Sequence, residues 1–177
     1  MRSWLLAVVL LASVASRSTV ALDAAEPQRL DLLKAGYLVN FAKFVEWPAS
    51  AVPSDVLTVC FRGGSGVRAG LAQDLEHKRV GTRQVALREL TDADSSDGCN
   101  VLYIEGSGGS LVSGAHAAGI LTIGEGQDFV KRGGIIGLFT EANRLRFSVN
   151  VENARRAGLK LSAALLQLAS SVEQGAS

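Results

Sequence analysis

A glycine-rich segment is the strongest local motif in this sequence. Residues 64–69 read Gly-Ser-Gly-Val-Arg-Ala and match the G-x-G-x-x-G/A fingerprint of dinucleotide-binding turns. In such a site the glycines let a pyrophosphate approach the N-terminus of the following helix, and an acidic residue about 20 positions further on, here Glu89, holds a ribose hydroxyl. A turn of this kind is also common between a strand and a helix that bind nothing. The motif therefore leaves a nucleotide site and a structural turn both open.

Two more glycine-rich loops follow predicted strands, at residues 106–109 and 124–126. In an open parallel sheet the loops after the strands line the crevice in which ligands bind. Bare backbone N–H groups in such loops can hold a small anion. We therefore predict Gly64, Gly66, Ser107 and Gly124 as candidate ligand-binding residues, with a small anionic effector as the ligand.

Residues for nucleophilic or metal chemistry are sparse. The sequence has no G-x-S-x-G elbow, and neither Ser107 nor Ser110 has an adjacent base. His77 and His116 are the only histidines, and with two cysteines at unrelated spacings they match no zinc pattern. The acidic residues of the 91–98 loop lack the glycine and the closing glutamate of a calcium loop. We expect a protein that is not an enzyme and that has no metal and no cofactor.

Residues 1–21 have the pattern of an export signal. Arg2 supplies a positive start, an apolar run extends from Trp4 to Val14, and small residues permit cleavage after Ala15 or Ala21. The apolar run is too short to cross a bilayer, and no later segment approaches the roughly 20 apolar residues that would. We therefore expect the signal to be removed and the mature protein to work outside the cytoplasm without inserting into the membrane. ATP and NAD are scarce there, which disfavours the nucleotide interpretation of the glycine motif.

Composition points to one ordinary domain. Of the 177 residues 47% are hydrophobic and 20% charged, which is normal for a globular fold. The formal charge is +1, and loss of Arg2 and Arg17 with the signal leaves 16 basic against 17 acidic residues. This balance does not favour partners that bind by charge, such as nucleic acid or an anionic membrane.

Cys60 and Cys99 remain as a possible chemical pair. In an exported protein a disulfide is the default state of two cysteines. Closing a loop of about 40 residues would stabilise the fold by roughly 4 kcal/mol. If the two cysteines lay on adjacent parallel strands in register, however, they would be about 10 Å apart, which is too far for a bond. The spacing alone leaves open an offset register with a disulfide, or two free thiols.

The first helix is predicted to begin at Pro27, where the missing N–H costs nothing. It is predicted to end at Trp47-Pro48, because the residue before a proline disfavours helical geometry. Apolar residues at three- and four-residue spacing predict one buried stripe along this helix: Leu30, Leu33, Tyr37, Phe41 and Phe44.

The rest of the chain alternates between strand-like and helix-like patterns. Predicted strands lie at 56–61, 85–87, 101–104 and 120–123, with helices at 67–75 and 111–118 and a helical turn at 127–131. Strands at 135–140 and 145–149 are predicted to pair as a hairpin around Ala142-Asn143. Asn150 or Asn153 is predicted to cap a short helix, and Ser162 the last one.

This alternation is typical of an α/β fold. We predict a single-domain sandwich with a mostly parallel sheet, helices on both faces and a late antiparallel hairpin.

Six segments, taken in order, resemble the YfiR family of small periplasmic proteins. They read FxxFVEWP at 41–48, CNVLYI at 99–104, GILTIG at 119–124, RFSVN at 146–150, AGLKLS at 157–162 and LLQLA at 165–169. The resemblance covers nearly all of the mature chain, and we assign residues 27–170 to a YfiR-like domain. The resemblance rests on the ordered set of six segments.

The resemblance implies a regulatory role without catalysis. YfiR-type proteins bind the periplasmic sensor domain of a diguanylate cyclase anchored in the inner membrane and hold it inactive, which lowers cyclic-di-GMP and restrains biofilm formation. The family's cysteine pair matches Cys60 and Cys99, so the resemblance favours the disulfide. Some members carry a second disulfide near the late hairpin, where this chain has Arg132-Gly133 and Phe139 instead. Redox control through a second bond is therefore not expected. Association of two copies as a homodimer is a separate expectation for a partner.

Four residues in or beside the resembling segments are candidates for contact with a partner. Phe44 and Trp47 end the first helix, where packing in the core is the competing interpretation. Arg144 and Arg146 alternate along the second arm of the hairpin, where a solvated strand face is the alternative. If exposed, these arginines could pair with carboxylates of a partner or ligand.

Overall fold

A computed structural model describes residues 20–51, 55–73, 75–91, 93–106, 112, 115 and 119–174, with the backbone alone over residues 20–25. Most of the predicted signal segment lies outside the described residues. So do Ser107, Ser110, His116 and most of the predicted helix at 111–118.

The first helix, α1, spans Val20–Lys43, and both of its ends differ from the predictions. The helix begins seven residues before Pro27, because the preceding residues are mostly Ala, Leu and Glu, which favour helix. It ends before Trp47 because Val45–Glu46 forms a short strand, β1, that pairs antiparallel with Lys160–Leu161. Pro27 therefore lies inside the helix, and Trp47-Pro48 lies beyond it.

The buried face of α1 also differs from the predicted stripe. Ala35, Leu38 and Ala42 lie in the core, whereas Leu33 and Phe44 of the predicted stripe remain exposed. The small side chain of Ala35 allows α1 to pack closely on Gly70, where an added Cβ would lie 3.4 Å from the Cβ of Ala35. Close packing at small residues thus selects the face that is buried, and it leaves a second apolar stripe outside.

Eight strands form the main sheet, in the order β10-β8-β7-β6-β5-β2-β4-β3. Their bounds are β2 Val56–Arg62, β3 Arg79–Val80, β4 Arg83–Glu89, β5 Val101–Ile104, β6 Leu121–Glu125, β7 Ile136–Glu141, β8 Arg144–Asn150 and β10 Ser171–Glu173, while Lys160–Leu161 is β9. Neighbours run parallel except in the pairs β3–β4 and β7–β8. The predicted single-domain α/β fold with a mostly parallel sheet is confirmed.

Short helices connect the strands. The described α-helices after α1 are α2 Ser65–Ala72, α3 Val151–Arg156 and α4 Ala163–Leu168, and single 3-10 turns occupy Ala49–Ala51, Leu75–His77 and Gln127–Val130. The side chain of Asn150 caps α3 by accepting from the N–H of Asn153, and Ser162 caps α4 through the N–H of Leu165. The hairpin turn has φ of 48° at Ala142 and 58° at Asn143, as a two-residue turn between twisted strands requires.

The sheet separates two cores. One face carries Val59, Phe61, Val101 and Tyr103 and is covered by α1 and α2. The opposite face holds a smaller core of nine buried residues: Cys60, Leu90, Cys99, Leu102, Ile104, Val112, Ala115, Ile120 and Phe129. Alternate residues of β2 and β5 thus serve different cores, as the pleat of a strand requires.

Cys60 and Cys99 form a disulfide with a Cα–Cα distance of 5.8 Å. The strands are in register, with Val59 opposite Val101 and Cys60 opposite Leu102. Cys99 nevertheless reaches Cys60 because it precedes β5, in a turn where its N–H donates to the carbonyl of Ser96. The expectation that an in-register pairing would hold the two cysteines too far apart for a bond is therefore wrong. It assumed that Cys99 lies within a strand, whereas Cys99 lies in the turn before β5.

Candidate functional site

An open groove of about 640 Å³ lies between α1, the first half of β8 and α4. Its lining from α1 is Tyr37, Asn40, Phe41, Lys43 and, at the end of the helix, Phe44. The opposite side is formed by Leu145, Arg146 and Phe147 of β8 with Leu165 and Leu168 of α4. α1 is separated in sequence from β8 and α4 by the strands β2 to β7, so only the folded chain creates the groove. We refer to it below as the α1–β8 groove.

Three aromatic rings form the floor of the α1–β8 groove. The ring centroids of Phe41 and Phe147 are 4.9 Å apart, and those of Tyr37 and Phe41 are 5.4 Å apart at 74°. Tyr37 and Phe147 are also in edge contact, at 6.3 Å. Such edge-to-face and tilted contacts stabilise each ring against its neighbours.

Apolar side chains at and beside the groove remain in solvent. Leu168 is 67% exposed, Leu33 is 49% exposed and Phe44 is 36% exposed. Phe44 and Leu168 line the groove, and Leu33 lies one helical turn from Tyr37 on the same face of α1. A cluster of large exposed apolar side chains is unusual on a soluble domain and is typical of an interaction surface.

The groove collects two of the four predicted partner-binding residues, Phe44 and Arg146. Arg144, also exposed, lies at the tip of the hairpin and is not part of the lining. Trp47 is half-buried against the core, and its neighbour Pro48 packs beside Gly119 and Gly158. The structure thus gives Trp47-Pro48 a packing role, and their contact with a partner stays a prediction.

The space beside the three described glycines that were predicted to bind a ligand is filled by side chains of the protein itself. A Cβ on Gly64 would lie 2.4 Å from the ring of Tyr103, one on Gly66 would lie 1.9 Å from the carboxylate of Asp31, and one on Gly124 would lie 2.4 Å from the ring of Phe129. These contacts explain the three glycines by packing. A ligand-binding role for them rests on the sequence pattern alone, and Ser107 lies outside the described residues.

Two carboxylates lie against the glycine turn after β2, although one of them, that of Asp31, is 4.0 Å from the ammonium group of Lys34. Glu105 accepts a hydrogen bond from the N–H of Gly64 at 2.8 Å, and the carboxylate of Asp31 lies against Gly66. Glu89 pairs with Arg68 at 3.2 Å. An anion at this turn would therefore meet carboxylates where a pyrophosphate site offers free N–H groups.

A polar cluster lies at the ends of β5 and β6, beneath α1. The hydroxyl of Tyr103, which is fully buried, donates to Glu125 at 2.6 Å, and Lys34 of α1 forms a short ion pair with the same carboxylate. Burial and the hydrogen bond to Glu125 raise the pKa of Tyr103 well above its ordinary value, so the phenol stays protonated and remains a donor. The cluster ties α1 to the carboxyl ends of the strands.

The charge of Glu125 stabilises the fold in a pH-dependent way. Burial alone would raise the pKa of Glu125, but the hydrogen bonds from Lys34 and Tyr103 and the charge of Lys34 outweigh it and hold the pKa below its usual value. A carboxyl whose pKa is lowered by folding stabilises the native state above its ordinary pKa, and this contribution is lost as the pH falls through the lowered value.

We therefore expect Glu125→Gln to lower the free energy of unfolding at pH 7 by about 1–2 kcal/mol, which is modest because the side chain is 33% exposed. Urea unfolding at several pH values should show the difference from wild type shrinking as the pH falls below the ordinary carboxyl value of 4.5. Glu141→Gln, at a side chain that is 65% exposed, is the matched control and should differ little from wild type throughout. If the difference in unfolding free energy between wild type and Glu125→Gln stays constant down to pH 3, the charge of Glu125 is not what stabilises the fold.

A second depression, of about 580 Å³, lies between the 3-10 turn at 127–130, α3 and β10. Its charged lining is mixed, with Lys131 and Arg156 beside Glu152 and Glu173. Arg156 already pairs with Glu152 at 3.2 Å. The two depressions differ in charge, since no carboxylate is among the described residues that line the α1–β8 groove.

Sequence patterns alone missed the groove and the polar cluster. The periodicity of α1 suggested one buried stripe, and the second apolar face could have been recognised only from the excess of apolar residues on that helix. Lys34, Tyr103 and Glu125 are spread over 92 positions and share no motif. Over the residues that the structure describes, no group of three His, Cys, Asp or Glu side chains is placed to hold a metal ion.

None of the described helices is both long enough and apolar enough to cross a membrane. No curated protein matches the chain. Among solved structures, a conserved domain protein from Vibrio cholerae O1 biovar El Tor shares 17% identity and a TM-score of 0.47, over 84% of this chain and 60% of that one. The ABC domain in complex with L-Trp from Streptococcus pneumoniae shares 10% identity and a TM-score of 0.51, over 78% of this chain and 60% of that one.

These two likenesses are distant. The second supports the α/β fold and nothing finer, and this chain spans about 60% of the length of both neighbours. The comparison with family models is more informative. The model described as YfiR/HmsC-like matches residues 31–170, which include α1 from its middle onwards, the strands β1 to β9 and the helices α2 to α4. The chain therefore belongs to the YfiR/HmsC-like family.

Proposed function

We propose that this protein is a periplasmic regulator that binds the sensor domain of a membrane-anchored signalling enzyme, in the first instance a diguanylate cyclase, and holds that enzyme inactive. Membership of the YfiR/HmsC-like family supports the class of function. The observation in the molecule that carries the proposal is the α1–β8 groove, with its exposed apolar side chains and aromatic floor. In the proposed role the protein acts by contact and performs no catalysis.

Inhibition by contact requires a difference in affinity. A bound regulator shifts a two-state sensor only as far as it binds the inactive arrangement more tightly than the active one. A factor of one hundred in affinity corresponds to about 2.7 kcal/mol, which one well-packed apolar contact site can supply. The α1–β8 groove offers such a site, with three mutually packed aromatic rings among its lining residues.

The test uses the membrane cyclase encoded nearest to this gene. Co-expression of the full chain with that cyclase should lower cellular cyclic-di-GMP severalfold, and the two proteins should co-purify after mild solubilisation of membranes. The matched control is the same cyclase without its periplasmic domain, whose activity should not respond. Equal cyclic-di-GMP with and without the protein, at verified expression of both, would overturn the proposal.

The competing candidate is a module that binds a small anionic effector in the glycine-loop crevice. Asp31 and Glu105 count against it, because they place negative charge beside Gly64 and Gly66. Thermal unfolding against a panel of nucleotides and organic anions distinguishes the two functions. We expect no stabilisation at millimolar concentration, and a rise in Tm of several degrees with one anion would favour the effector module instead.

A further inference from the structure

The solvent-exposed side of α1 carries large apolar side chains, as protein contact surfaces do. Leu33 and Tyr37 lie one turn apart on this side of α1, and Phe44 follows directly after the helix, so the three residues extend over about 16 Å. A surface helix normally has polar residues opposite its buried face. In α1 the buried face runs through Ala35, Leu38 and Ala42, whereas this second apolar stripe is exposed at Leu33 and Phe44 and partly buried at Tyr37, which packs against the core.

The described charged side chains that line the α1–β8 groove are all positive. Its described lining contains two cations, Lys43 and Arg146, and no carboxylate. Lys43 donates to the side-chain carbonyl of Asn40 at 3.2 Å. Arg146 lies 4.0 Å from Glu141, and because both side chains are largely exposed this pairing is weak. Both cations can therefore turn toward a carboxylate that approaches the groove.

A second copy of this chain is a poor occupant of the same face. Two grooves that meet face to face about a twofold axis bring the cations of both copies into one interface. Lys43 and Arg146 of one copy would then face the cations of the other, which disfavours the contact. Charge complementarity instead selects a partner with acidic groups beside an apolar surface.

We propose that the α1–β8 groove receives an amphipathic helix whose apolar face is flanked by Asp and Glu side chains. Its apolar residues insert between α1 and α4 onto the rings of Tyr37, Phe41 and Phe147, and its carboxylates pair with Lys43 and Arg146. The mode is that of a helix in a groove, with anchors spaced at three and four residues. The inference rests on the proposed function in one respect only, namely that it assigns this helix to the sensor domain of the membrane enzyme.

The first test uses the purified full chain and a phage-displayed library of 16-residue helical peptides. Apolar residues are fixed at positions i, i+3, i+4 and i+7, and the other positions vary among Glu, Lys, Gln and Ser. Selection on wild type should enrich peptides with net negative charge. Those peptides should bind the Lys43→Glu/Arg146→Glu variant at least about tenfold more weakly, and the same variant should enrich Lys-rich peptides instead.

Apolar contacts are tested with Phe44→Ser/Leu168→Ser, which should remove detectable binding of the selected peptides. Val56→Ser is the matched apolar control, since Val56 is 40% exposed but lies outside the groove. Arg79→Glu in β3, at the opposite edge of the sheet, is the charge control. Both controls should bind as wild type does, and urea unfolding checks that every variant is folded.

Two results would overturn the inference. One is a selected set without charge bias, or acidic peptides that bind the Lys43→Glu/Arg146→Glu variant as tightly as wild type. The other is a dimer in sedimentation that Phe44→Ser/Leu168→Ser converts to monomer, which would assign the groove to a second copy.

The two proposals fail separately. Selective binding of acidic helices with no effect of the protein on cyclic-di-GMP would leave the groove chemistry standing and refute the proposed function. Inhibition that persists in Phe44→Ser/Leu168→Ser would keep the function and refute the groove as its site.

Discussion

Replacing both cysteines by alanine is expected to lower the free energy of unfolding by about 4 kcal/mol. The bond joins residues 39 apart, and opening a loop of that length restores conformational freedom mainly to the unfolded chain. Cys60 and Cys99 are both buried in the smaller core, so alanine also removes two apolar contacts without adding a polar group. Urea unfolding of wild type and Cys60→Ala/Cys99→Ala gives the difference directly.

Wild type with reductant is the control for this experiment, because it breaks the bond and keeps both sulfur atoms. A loss below about 1 kcal/mol would mean that the loop is held without the bond. The contacts able to do so come from Arg88, which donates to the carbonyl of Asp97 at 2.7 Å and lies 3.0 Å from the sulfur of Cys99.

The disulfide lies on the opposite face of the sheet from the α1–β8 groove. We therefore expect reduction to change stability and to leave the affinity for a groove ligand unchanged under conditions where the protein is still folded. Equal affinity of wild type and Cys60→Ala/Cys99→Ala assigns the bond a bracing role. A difference of more than about threefold would indicate that it also reports on redox conditions.

Phe129→Ala is expected to cost about 3–5 kcal/mol, because a large buried ring is lost from a small core. The ring fills the space beside Gly124 and Gly134, where an added Cβ would lie 2.4 Å and 2.1 Å from it. Neither glycine has a side chain that could move into the cavity. The guanidinium of Arg132 also lies over the ring, 5.8 Å from its centroid.

Phe44→Ala is the matched control for Phe129→Ala, since it removes the same atoms from the groove. We expect it to cost about 1 kcal/mol or less, because Phe44 is partly exposed. Its effect should fall on partner binding instead. If the two substitutions lower the free energy of unfolding equally, the prediction is contradicted. Either neighbouring residues then move into the cavity left by the Phe129 ring, or Phe44 supports the fold more than its exposure indicates.

The sequence predicted the central elements of the fold well. Strands such as β2 and β5 are buried on both faces, so their continuous apolar runs identify them without knowledge of their partners. The hairpin turn at Ala142-Asn143 was also predictable, because its geometry depends on local backbone preferences. The cysteine pair could be named as a candidate disulfide because two cysteines of an exported protein normally form a bond and because the family resemblance matches the same pair.

Elements that depend on distant partners were missed or misplaced. β1 has two residues and exists because β9 pairs with it, and β10 has three residues that add to β8. The C-terminal end of α1 moved for the same reason, since pairing of Val45–Glu46 decides where the helix stops. Periodicity also cannot choose between two apolar faces of one helix. The fit of Ala35 against Gly70 makes that choice.

By itself the sequence determined the class of this protein: a single α/β domain with a cysteine pair and a resemblance to one regulatory family. Composition, patterning and local turn chemistry indicate the fold class, because each depends on neighbouring residues, and the resemblance rests on six ordered segments of the sequence. Only the tertiary structure decided that Phe44 and Arg146 meet in one groove, that Cys99 crosses over Cys60, and that carboxylates lie against Gly64 and Gly66. Those outcomes depend on contacts between residues distant in sequence, which packing selects and no local pattern records.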